Sequence, residues 1–356
     1  MKKILISIII FSFLLCGCQK TTPLSHKEFC LDTIVQITLY DSSSKNILNN
    51  CFNLCKKYEL VFSANNKESE LYKINHAHHK LDEQSLSKEL FKVIKEGLYY
   101  SQLSQGAFDI TIGSVSSLWN FKENKLPDDQ QIKTHLNDIS YQNIILDNQK
   151  IRFLNGQTMI DLGAIAKGYI ADQIKSYLLK NKINSALINL GGNILCVGQK
   201  NNNPFSIGIT DPQNTNHSIL SLNINNLSIV TSGTYQRYIE INSKKYHHIL
   251  NPSTGYCYDN DLSSVTIVSK SSLQGDALST VCFALGKEKG LALLNSIKNV
   301  SGCFIDDHNQ ISYSKNFKKY LYKLKNSFWE FLFNNLSRTF FFTFSTMNTF
   351  CIIDMC

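Results

Sequence analysis

The order of helix-like and strand-like segments limits this chain to few fold classes. The spacing of apolar residues predicts helices over residues 45–60, 87–104, 164–180 and 274–285. Short runs rich in β-branched and aromatic residues predict strands at 31–40, 143–147, 151–154, 185–190, 205–210, 227–231, 237–241 and 262–269. Because strands and helices do not alternate regularly, the pattern favours an α+β fold over a doubly wound parallel sheet.

The size and charge of the chain narrow the classes of function. A chain of 356 residues can bury a substantial core, in one large domain or two smaller ones. The net charge of +8 comes mostly from scattered lysines. No arginine-rich stripe is interleaved with aromatic residues, so we predict no nucleic-acid partner. The positive net charge is better interpreted as a basic surface that lies near a membrane.

The N-terminus has the pattern of an export signal. Lys2 and Lys3 precede an apolar run over 4–15, which is short for a membrane span and typical of a signal peptide. The run ends in Leu-Cys-Gly-Cys, which resembles a bacterial lipobox. We therefore predict a signal peptide at 1–17, lipidation of Cys18 and a lipidated tether at 18–28. The predicted location is a bacterial membrane lipoprotein, at the inner membrane and facing the periplasm. A plain signal peptide with chance cysteines, or a retained anchor, is the alternative.

The cysteines and the C-terminal segment indicate less about the fold and the function. The chain has eleven cysteines but no Cys-x-x-Cys pair, which argues against a structural zinc site. We predict that most are small buried hydrophobic residues. Residues 321–356 form a phenylalanine-rich tail of unknown role. Its uncharged run, 339–353, is short of a full membrane span.

The stretch "DLGAIAKGYIADQI", residues 161–174, places two glycines around a lysine where a helix begins. Glycine lowers helix stability by about 1 kcal/mol relative to alanine, so the presence of Gly163 and Gly168 at this position requires an explanation. Exposed N–H groups at a helix N-terminus, with the charge of Lys167, can bind an anion. The stretch is not a P-loop, because the order Gly-x-x-x-x-Gly-Lys-Ser/Thr is missing.

Two further clusters contain candidate metal-binding and proton-transfer groups. In "QGDALST", Asp276 and Thr280 are four residues apart, so a helix places both oxygens on one face. Such a pair is typical of an incomplete Mg²⁺ shell, although a lone Asp in this pattern more often stabilises the helix dipole. In "YHHILNPSTGY", His247 and His248 point to opposite faces of a strand, so one is a candidate base and the other a structural histidine.

Several motifs in one order resemble those of a known family. They are "LDT", "SEL..IN", "GAFDITIG", "DLGAIAKGYIAD", "LINLGGNI", "IGITDP", "TSGTYQRY", "HHILNPSTGY" and "DALST", over about residues 30 to 315. The chain is similar to the ApbE family of bacterial lipoproteins, the FAD:protein FMN transferases. The resemblance implies a single large T-fold-like domain with mixed sheets at 29–320, and one FAD bound in a cleft.

The resemblance also implies roles for individual residues. Mg²⁺ would be held by the backbone of Ala164, Asp276 and Thr280, and His248 would be the base. The glycine turn before the helix would lie beneath the flavin dinucleotide. FAD would be contacted by Leu31, Ala107, Phe108, Asp109, Asp161, Lys167, Ile249 and Leu250.

The activity that the resemblance implies is a phosphoester-forming transfer. FMN would move from FAD onto a Thr (or Ser) hydroxyl of a target protein, with Mg²⁺ as cofactor and AMP as the released product. The acceptor would be a membrane respiratory subunit, one that translocates sodium or electrons. The alternatives are an FAD pyrophosphatase, which is a hydrolase, and a non-catalytic flavin-binding lipoprotein.

The chain departs from the family pattern at three positions. Leu31 stands where relatives often have Met, and Thr234 stands at a position that is often acidic. Asn65 stands where relatives place an aromatic residue for flavin stacking. We expect Tyr235, Phe108 or Tyr256 to substitute for that aromatic contact.

Overall fold

An antiparallel eight-stranded sheet forms the centre of the protein. The computed structural model describes residues 22–123 and 125–322. Its strands are β1 Leu24–Cys30, β2 Thr33–Leu39, β3 Gln84–Ser85, β4 Ile144–Asp147, β5 Lys150–Phe153, β6 Ala186–Leu190, β7 Asn193–Val197, β8 Phe205–Thr210, β9 Ser218–Ile224, β10 Ser228–Gly233, β11 Tyr238–Ile241, β12 Lys244–His247, β13 Leu262–Ser269, β14 Ser301–Asp306 and β15 Ile311–Tyr313. Its α-helices are α1 Lys45–Phe62, α2 Glu70–Asn75, α3 Lys88–Leu103, α4 Gly113–Ser116, α5 Asp129–Leu136, α6 Ala166–Lys180 and α7 Ser272–Ser296.

The strands of the large sheet lie in the order β1-β2-β6-β7-β10-β13-β14-β15, and each neighbouring pair is antiparallel. Three small sheets, β11-β12, β3-β5-β4 and β8-β9, accompany it among the described residues. This architecture confirms the predicted α+β class, because parallel strand–helix–strand units do not build the sheet.

Alternating side chains of the large sheet enter two separate cores. On β13, Val265 and Ile267 pack on the side that holds helices α1, α6 and α7. The next residue, Val268, packs on the other side with the β8–β9 hairpin and Phe317. This alternation follows from the two-residue period of a strand. The sheet therefore holds the long helices on one face, and the site is built by the C-terminal end of α1 and the N-terminal parts of α6 and α7.

The β1–β2 hairpin begins earlier than the sequence indicates. The predicted strand 31–40 is β2 alone, and Leu31 and Asp32 form the turn, both with φ of 56°. Two consecutive positive φ values are typical of a two-residue hairpin turn, and glycine or asparagine usually supplies them. Strand β1 also includes residues 24–28, which the sequence analysis assigns to the tether.

Helix α7 is longer than the predicted segment 274–285 and bends at Gly286, where φ is 76°. Its N-terminus is capped from α6 by Asp172. The Asp172 carboxylate accepts hydrogen bonds from the Ser271 hydroxyl at 2.7 Å and from the Ser272 N–H at 2.9 Å. Asp172 therefore fixes the two helices relative to each other, as expected for a carboxylate at a helix N-terminus.

Gly168 allows close contact between α6 and α7. A Cβ at this position would lie 2.4 Å from the Ser272 carbonyl oxygen and 2.6 Å from the Leu273 Cα. Gly168 lies within α6 and needs its hydrogen for this backbone approach, whereas the placement of the glycine turn before the helix beneath the flavin dinucleotide stays a prediction.

We expect Gly168→Ala to lower the free energy of unfolding by roughly 2 kcal/mol or more, because the added methyl group meets backbone that cannot move aside. Thermal unfolding measures the effect. Gly156→Ala is the matched control, since a Cβ there has no neighbour within 4 Å, and it should change stability by less than about 0.5 kcal/mol. Equal melting temperatures for the two variants would contradict this account of α6–α7 packing.

The described cysteines are consistent with the sequence prediction. Cys30, Cys51, Cys55, Cys196, Cys282 and Cys303 are buried free thiols. Among the described residues, no helix is long and apolar enough to cross a membrane. The predicted signal peptide, Cys18 and residues 323–356 of the tail lie outside the described part of the chain.

Candidate functional site

A cavity of about 530 Å³ opens between the β1–β2 turn, the end of α1 and the N-terminal parts of α6 and α7. Pockets of this size typically bind small molecules or cofactors. The structure brings all the predicted site residues of the described chain to this one cavity. Its lining includes Leu31, Ala107, Phe108, Asp109, Asp161, Ala164, Lys167, His248, Ile249, Leu250, Asp276 and Thr280.

Asp276 supplies a buried carboxylate at one end of the cavity. The side chain is 5% exposed, and its Oδ2 accepts a hydrogen bond from the Gly168 N–H at 2.8 Å. Burial raises the pKa of Asp276, while the positive charge of Lys167 and the Gly168 N–H oppose that rise. A buried carboxylate is stable in its charged form only beside positive charge, so this position suits a bound cation.

The backbone of Ala164 has lost its usual helical partner. In a regular helix the Gly168 N–H would donate to the carbonyl of Ala164, four residues earlier. Here α6 begins at Ala166, and the Gly168 N–H donates to Asp276. The helix therefore does not use the Ala164 carbonyl, and Ala164 lines the cavity.

Thr280 completes a set of oxygen donors at the same end. It lies one turn after Asp276 on α7, and its hydroxyl is 3.1 Å from the Ser232 hydroxyl on β10. A carboxylate, a hydroxyl and a carbonyl are hard donors that fit Mg²⁺, which keeps several waters and substrate oxygens in its shell. The described residues contain no group of three His, Cys, Asp or Glu that could hold a metal by themselves.

The carboxylate of Asp161 stabilises the turn that precedes α6. Asp161 accepts hydrogen bonds from the Gly163 N–H at 2.8 Å and from the Ser116 hydroxyl at 2.7 Å. Lys167 reaches back from α6, and its Nζ donates to the Gly163 carbonyl at 3.3 Å. The turn thus places a lysine and a helix N-terminus together on the cavity wall, an arrangement that attracts anions.

Asp109 shapes the loop that carries it. Its Oδ1 accepts from the Thr111 N–H at 2.8 Å and from the Thr111 hydroxyl at 2.7 Å, and its Oδ2 accepts from the Tyr141 N–H at 2.8 Å. Burial raises the pKa of this acid, and these hydrogen bonds oppose the rise. The carboxylate is therefore committed to the loop, which presents Ala107 and Phe108 to the cavity.

The structure distinguishes the two adjacent histidines. His247 is buried, its Nε2 is 2.9 Å from the Tyr258 carbonyl, and its Nδ1 accepts from the Ile249 N–H at 3.3 Å. Both of its nitrogens are occupied, and its ring packs edge-on against Phe283. His248 lines the cavity. His247 therefore has the contacts of a structural histidine, and His248 is the one that can reach a ligand.

His248 is held in the form that a base requires. Its Nδ1 is 3.2 Å from the Arg237 carbonyl, which can only accept, so the proton is assigned to Nδ1 and the lone pair to Nε2. Burial and the positive charges of Lys167 and Arg237 lower the pKa of His248 to about 3. The imidazole is therefore neutral at physiological pH.

The profile described as "ApbE family" matches residues 31–304 of this sequence. This chain belongs to the ApbE family. A relative from Klebsiella pneumoniae, named "FAD:protein FMN transferase", is 37% identical over 81% of this chain and 90% of its own length. A relative of the same name from Treponema pallidum is 31% identical over 81% of this chain and 86% of its own length.

Solved structures agree with this assignment. The crystal structure of the ApbE protein from Thermotoga maritima superposes with a TM-score of 0.78, at 29% identity, and covers 85% of this chain and 100% of that one. The flavin transferase ApbE from Vibrio cholerae, at 24% identity and a TM-score of 0.76, has the same fold. The predicted family and the predicted ApbE-type fold are both confirmed.

The lining of the ApbE cavity also includes apolar and aromatic side chains. Asn65 lines the cavity at the position where an aromatic residue was expected from the family. Of the three proposed substitutes, Phe108 lines the cavity, whereas the Tyr256 hydroxyl is hydrogen-bonded to Asp129 and Tyr235 is not among the lining residues. Trp119 and Phe121, which stack with ring centroids 5.6 Å apart, also line it.

Sequence reasoning missed several residues of this ApbE site. Tyr258 lines the cavity, and its hydroxyl donates to the Ala107 carbonyl at 2.6 Å. Its backbone N–H also donates to Ile249 at 3.0 Å, so one tyrosine joins the two loops that flank the cavity. Ser116, Arg237, Ser232 and Asn193 were likewise not predicted. Ser232, Arg237 and Asn193 lie within motifs quoted above, but a motif does not show which of its side chains enter the cavity, because that depends on contacts between distant segments.

Proposed function

We propose that this ApbE-family chain is an FAD:protein FMN transferase that binds FAD in the cavity described above. The observation that carries the proposal is the convergence of a buried carboxylate, a lysine at a helix N-terminus and a neutral histidine in one cavity. These groups suit a cation, a pyrophosphate and a proton, respectively. The names of the curated relatives support the same activity.

The cation end of the cavity would hold Mg²⁺ through the Asp276 carboxylate, the Thr280 hydroxyl and the Ala164 carbonyl. Bound there, Mg²⁺ would neutralise the pyrophosphate and stabilise the charge of the departing AMP. The Gly168 N–H keeps the Asp276 carboxylate in one orientation through its 2.8 Å hydrogen bond to Oδ2. A fixed ligand supports precise placement of the phosphate groups.

The walls of the cavity would orient FAD. Lys167 and the N-terminus of α6 favour the negatively charged pyrophosphate. Phe108, Ile249 and Leu250 are buried apolar residues of the same cavity, and they suit the flavin ring. FAD would thus lie with its phosphates at the Asp276 end and its apolar groups away from it.

His248 would take the proton of the acceptor hydroxyl. The hydroxyl oxygen of a Thr or Ser forms a new bond to the phosphorus of the FMN half. The bond from that phosphorus to the oxygen bridging to AMP breaks, and AMP leaves. The proton passes to Nε2, because Nδ1 already donates to the Arg237 carbonyl. The products are a protein-bound FMN phosphoester and AMP.

We further propose that the acceptor is a membrane respiratory subunit that translocates sodium or electrons. The enzyme would meet it as a lipoprotein of the inner membrane, facing the periplasm. Support for this location comes from the lipobox-like end of the apolar N-terminal run. Lipidation of Cys18 would keep the catalytic domain close to acceptors in the same membrane.

If Cys18 carries the lipid, Cys18→Ser should move the protein from the membrane fraction to the soluble periplasmic fraction. The lost acyl chains supply the membrane affinity, at about 0.8 kcal/mol per buried methylene. Fractionation and immunoblotting measure the distribution. The same substitution in a chain lacking residues 326–356 controls for anchoring by the tail. Membrane pelleting of that double variant would contradict the lipoprotein proposal.

One assay tests the proposed function against its alternatives. The protein is incubated with FAD, Mg²⁺ and a flavin-accepting respiratory subunit, and the products are resolved by denaturing gel and chromatography. A fluorescent acceptor band is the expected result. Free FMN and AMP without labelled acceptor would indicate an FAD pyrophosphatase. Unchanged FAD would indicate a non-catalytic flavin-binding lipoprotein.

A further inference from the structure

A buried amide at the charged end of the cavity lacks a hydrogen-bond partner. Asn193 begins β7, is 1% exposed and lines the same cavity as Asp276. Its Nδ2 is one of four buried side-chain nitrogen or oxygen atoms in the described part of the chain that make no hydrogen bond. The other three belong to Gln84, Ser264 and Asn309, which do not line the cavity. An unpaired buried donor is unfavourable and therefore suggests a missing acceptor.

The orientation of this amide is set by two buried serines. The Ser272 hydroxyl donates to Asn193 Oδ1 at 2.6 Å, and the Ser228 hydroxyl donates to Ser272 at 2.9 Å. The oxygen end of the amide is therefore fixed on the α7 side. The amino end lies beside the Asp276 carboxylate and helps to lower the pKa of that acid, without a hydrogen bond of normal geometry.

The backbone before Asn193 is also held firmly. Gly191 and Gly192 form the β6–β7 turn with φ of 64° and 93°, and a Cβ on Gly191 would lie 2.2 Å from the Thr33 hydroxyl. The Asn189 side chain accepts from the Gly192 N–H at 3.0 Å. Asn193 thus projects from a rigid turn and strand, so a ligand can meet its amide without prior rearrangement.

We propose that Asn193 is a further substrate-binding residue, whose Nδ2 donates a hydrogen bond to a pyrophosphate oxygen of FAD. The assignment rests on the proposed function. The pyrophosphate is the acceptor because Asn193 lies at the end of the cavity that also holds Lys167, Asp276 and Thr280. A charged phosphate oxygen is a stronger acceptor than a neutral one, which suits a donor that the protein itself leaves unpaired.

The test is FAD affinity, measured by flavin fluorescence in EDTA and again in saturating Mg²⁺. We expect Asn193→Ala to weaken FAD binding by about tenfold or more in both conditions, the usual effect of losing a hydrogen bond to a charged group. Gln84→Ala is the matched control, because it removes a side-chain amide whose Nε2 also lacks a partner but which does not line the cavity. It should bind FAD within about threefold of the wild type.

The outcomes separate the inference from the proposed function. If Asn193→Ala binds FAD as tightly as the wild type, the inference is wrong. It is also wrong if FAD affinity in EDTA is unchanged and only the Mg²⁺ requirement rises, since the amide would then act through Asp276. A wild-type protein that binds no FAD overturns the proposed function and this inference with it. If the alanine variant does not fold, Asn193→Leu has a similar volume, carries no donor and should show the same loss of affinity.

Discussion

Replacing Asp276 by alanine is expected to lower the rate of FMN transfer by more than about 100-fold at ordinary Mg²⁺ concentrations. Asp276 is the one carboxylate of the proposed Mg²⁺ shell, and losing even an outer partner of a metal site typically costs roughly 10–100-fold. The substitution also leaves the Gly168 N–H without its acceptor. Transfer rates measured against Mg²⁺ concentration check the prediction, and thermal unfolding confirms that the variant folds.

Two conservative variants define the cause of that loss. Asp276→Asn keeps the shape of the side chain and removes its charge, so its activity should lie between those of wild type and alanine. Thr280→Val should reduce transfer less than either Asp276 variant, since water can replace a neutral hydroxyl in a Mg²⁺ shell. Near wild-type rates for Asp276→Ala would mean that the cation is bound elsewhere and that the site on α7 is misassigned.

His248→Ala is expected to lower FMN transfer by about 10²–10⁴-fold while FAD remains bound, because a general base acts on the acceptor hydroxyl and not on cofactor affinity. Transfer to the acceptor and FAD affinity are measured on the same preparations. His248→Gln is the control for structure, since its amide can still donate to the Arg237 carbonyl but cannot accept the proton. It should be as inactive as the alanine variant.

Replacement of His247 should affect stability and not catalysis. His247→Ala removes the hydrogen bonds to Tyr258 and Ile249 and the contact with Phe283, so it should lower the melting temperature. The folded fraction should still transfer FMN. Large loss of transfer in His247→Ala with activity preserved in His248→Ala would contradict the assignment of the base.

The low pKa of His248 predicts the pH profile of kcat/KM, which reports the free enzyme. With a pKa lowered to about 3 by burial and by the nearby positive charges, the ring stays neutral as pH falls from 8 to 5. His248 protonation should therefore cause no loss of activity in that window. The folding stability, unlike the activity, should depend on the protonation of this histidine in that pH range. An unfolded histidine takes up its proton near pH 6.5, so His248 favours unfolding increasingly as pH falls from there toward 3.

Much of the fold follows from local sequence patterns. The strongly periodic helices α1, α3 and α6, and the β-branched strands β8 and β13, lie within two residues of their predicted bounds. Strands β1, β3, β7, β9, β12, β14 and β15 were not predicted. β1 is largely polar and exposed, so its pairing with β2 defines it more than its own composition does.

The residues of the site also fall into a group that the sequence predicts and a group that it does not. The motif residues Asp276, Thr280, Lys167 and His248 could be located from the sequence, because their types and order carry the chemistry. The sequence analysis left the reason for Gly168 open, and the structure shows that it permits the close approach of α6 to α7. Asn193 and Tyr258 could not be identified, because one depends on an unpaired buried donor and the other on a hydrogen bond across 151 residues.

The central claim is that one cavity transfers the FMN half of FAD to a protein hydroxyl. The most direct measurement compares the moles of AMP released with the moles of flavin attached to the acceptor, in one reaction containing FAD and Mg²⁺. The account predicts equal amounts, with the flavin on a Thr or Ser by peptide mass spectrometry and both products lost in His248→Ala. AMP release without flavin on the acceptor, at the same rate with or without acceptor present, would contradict it.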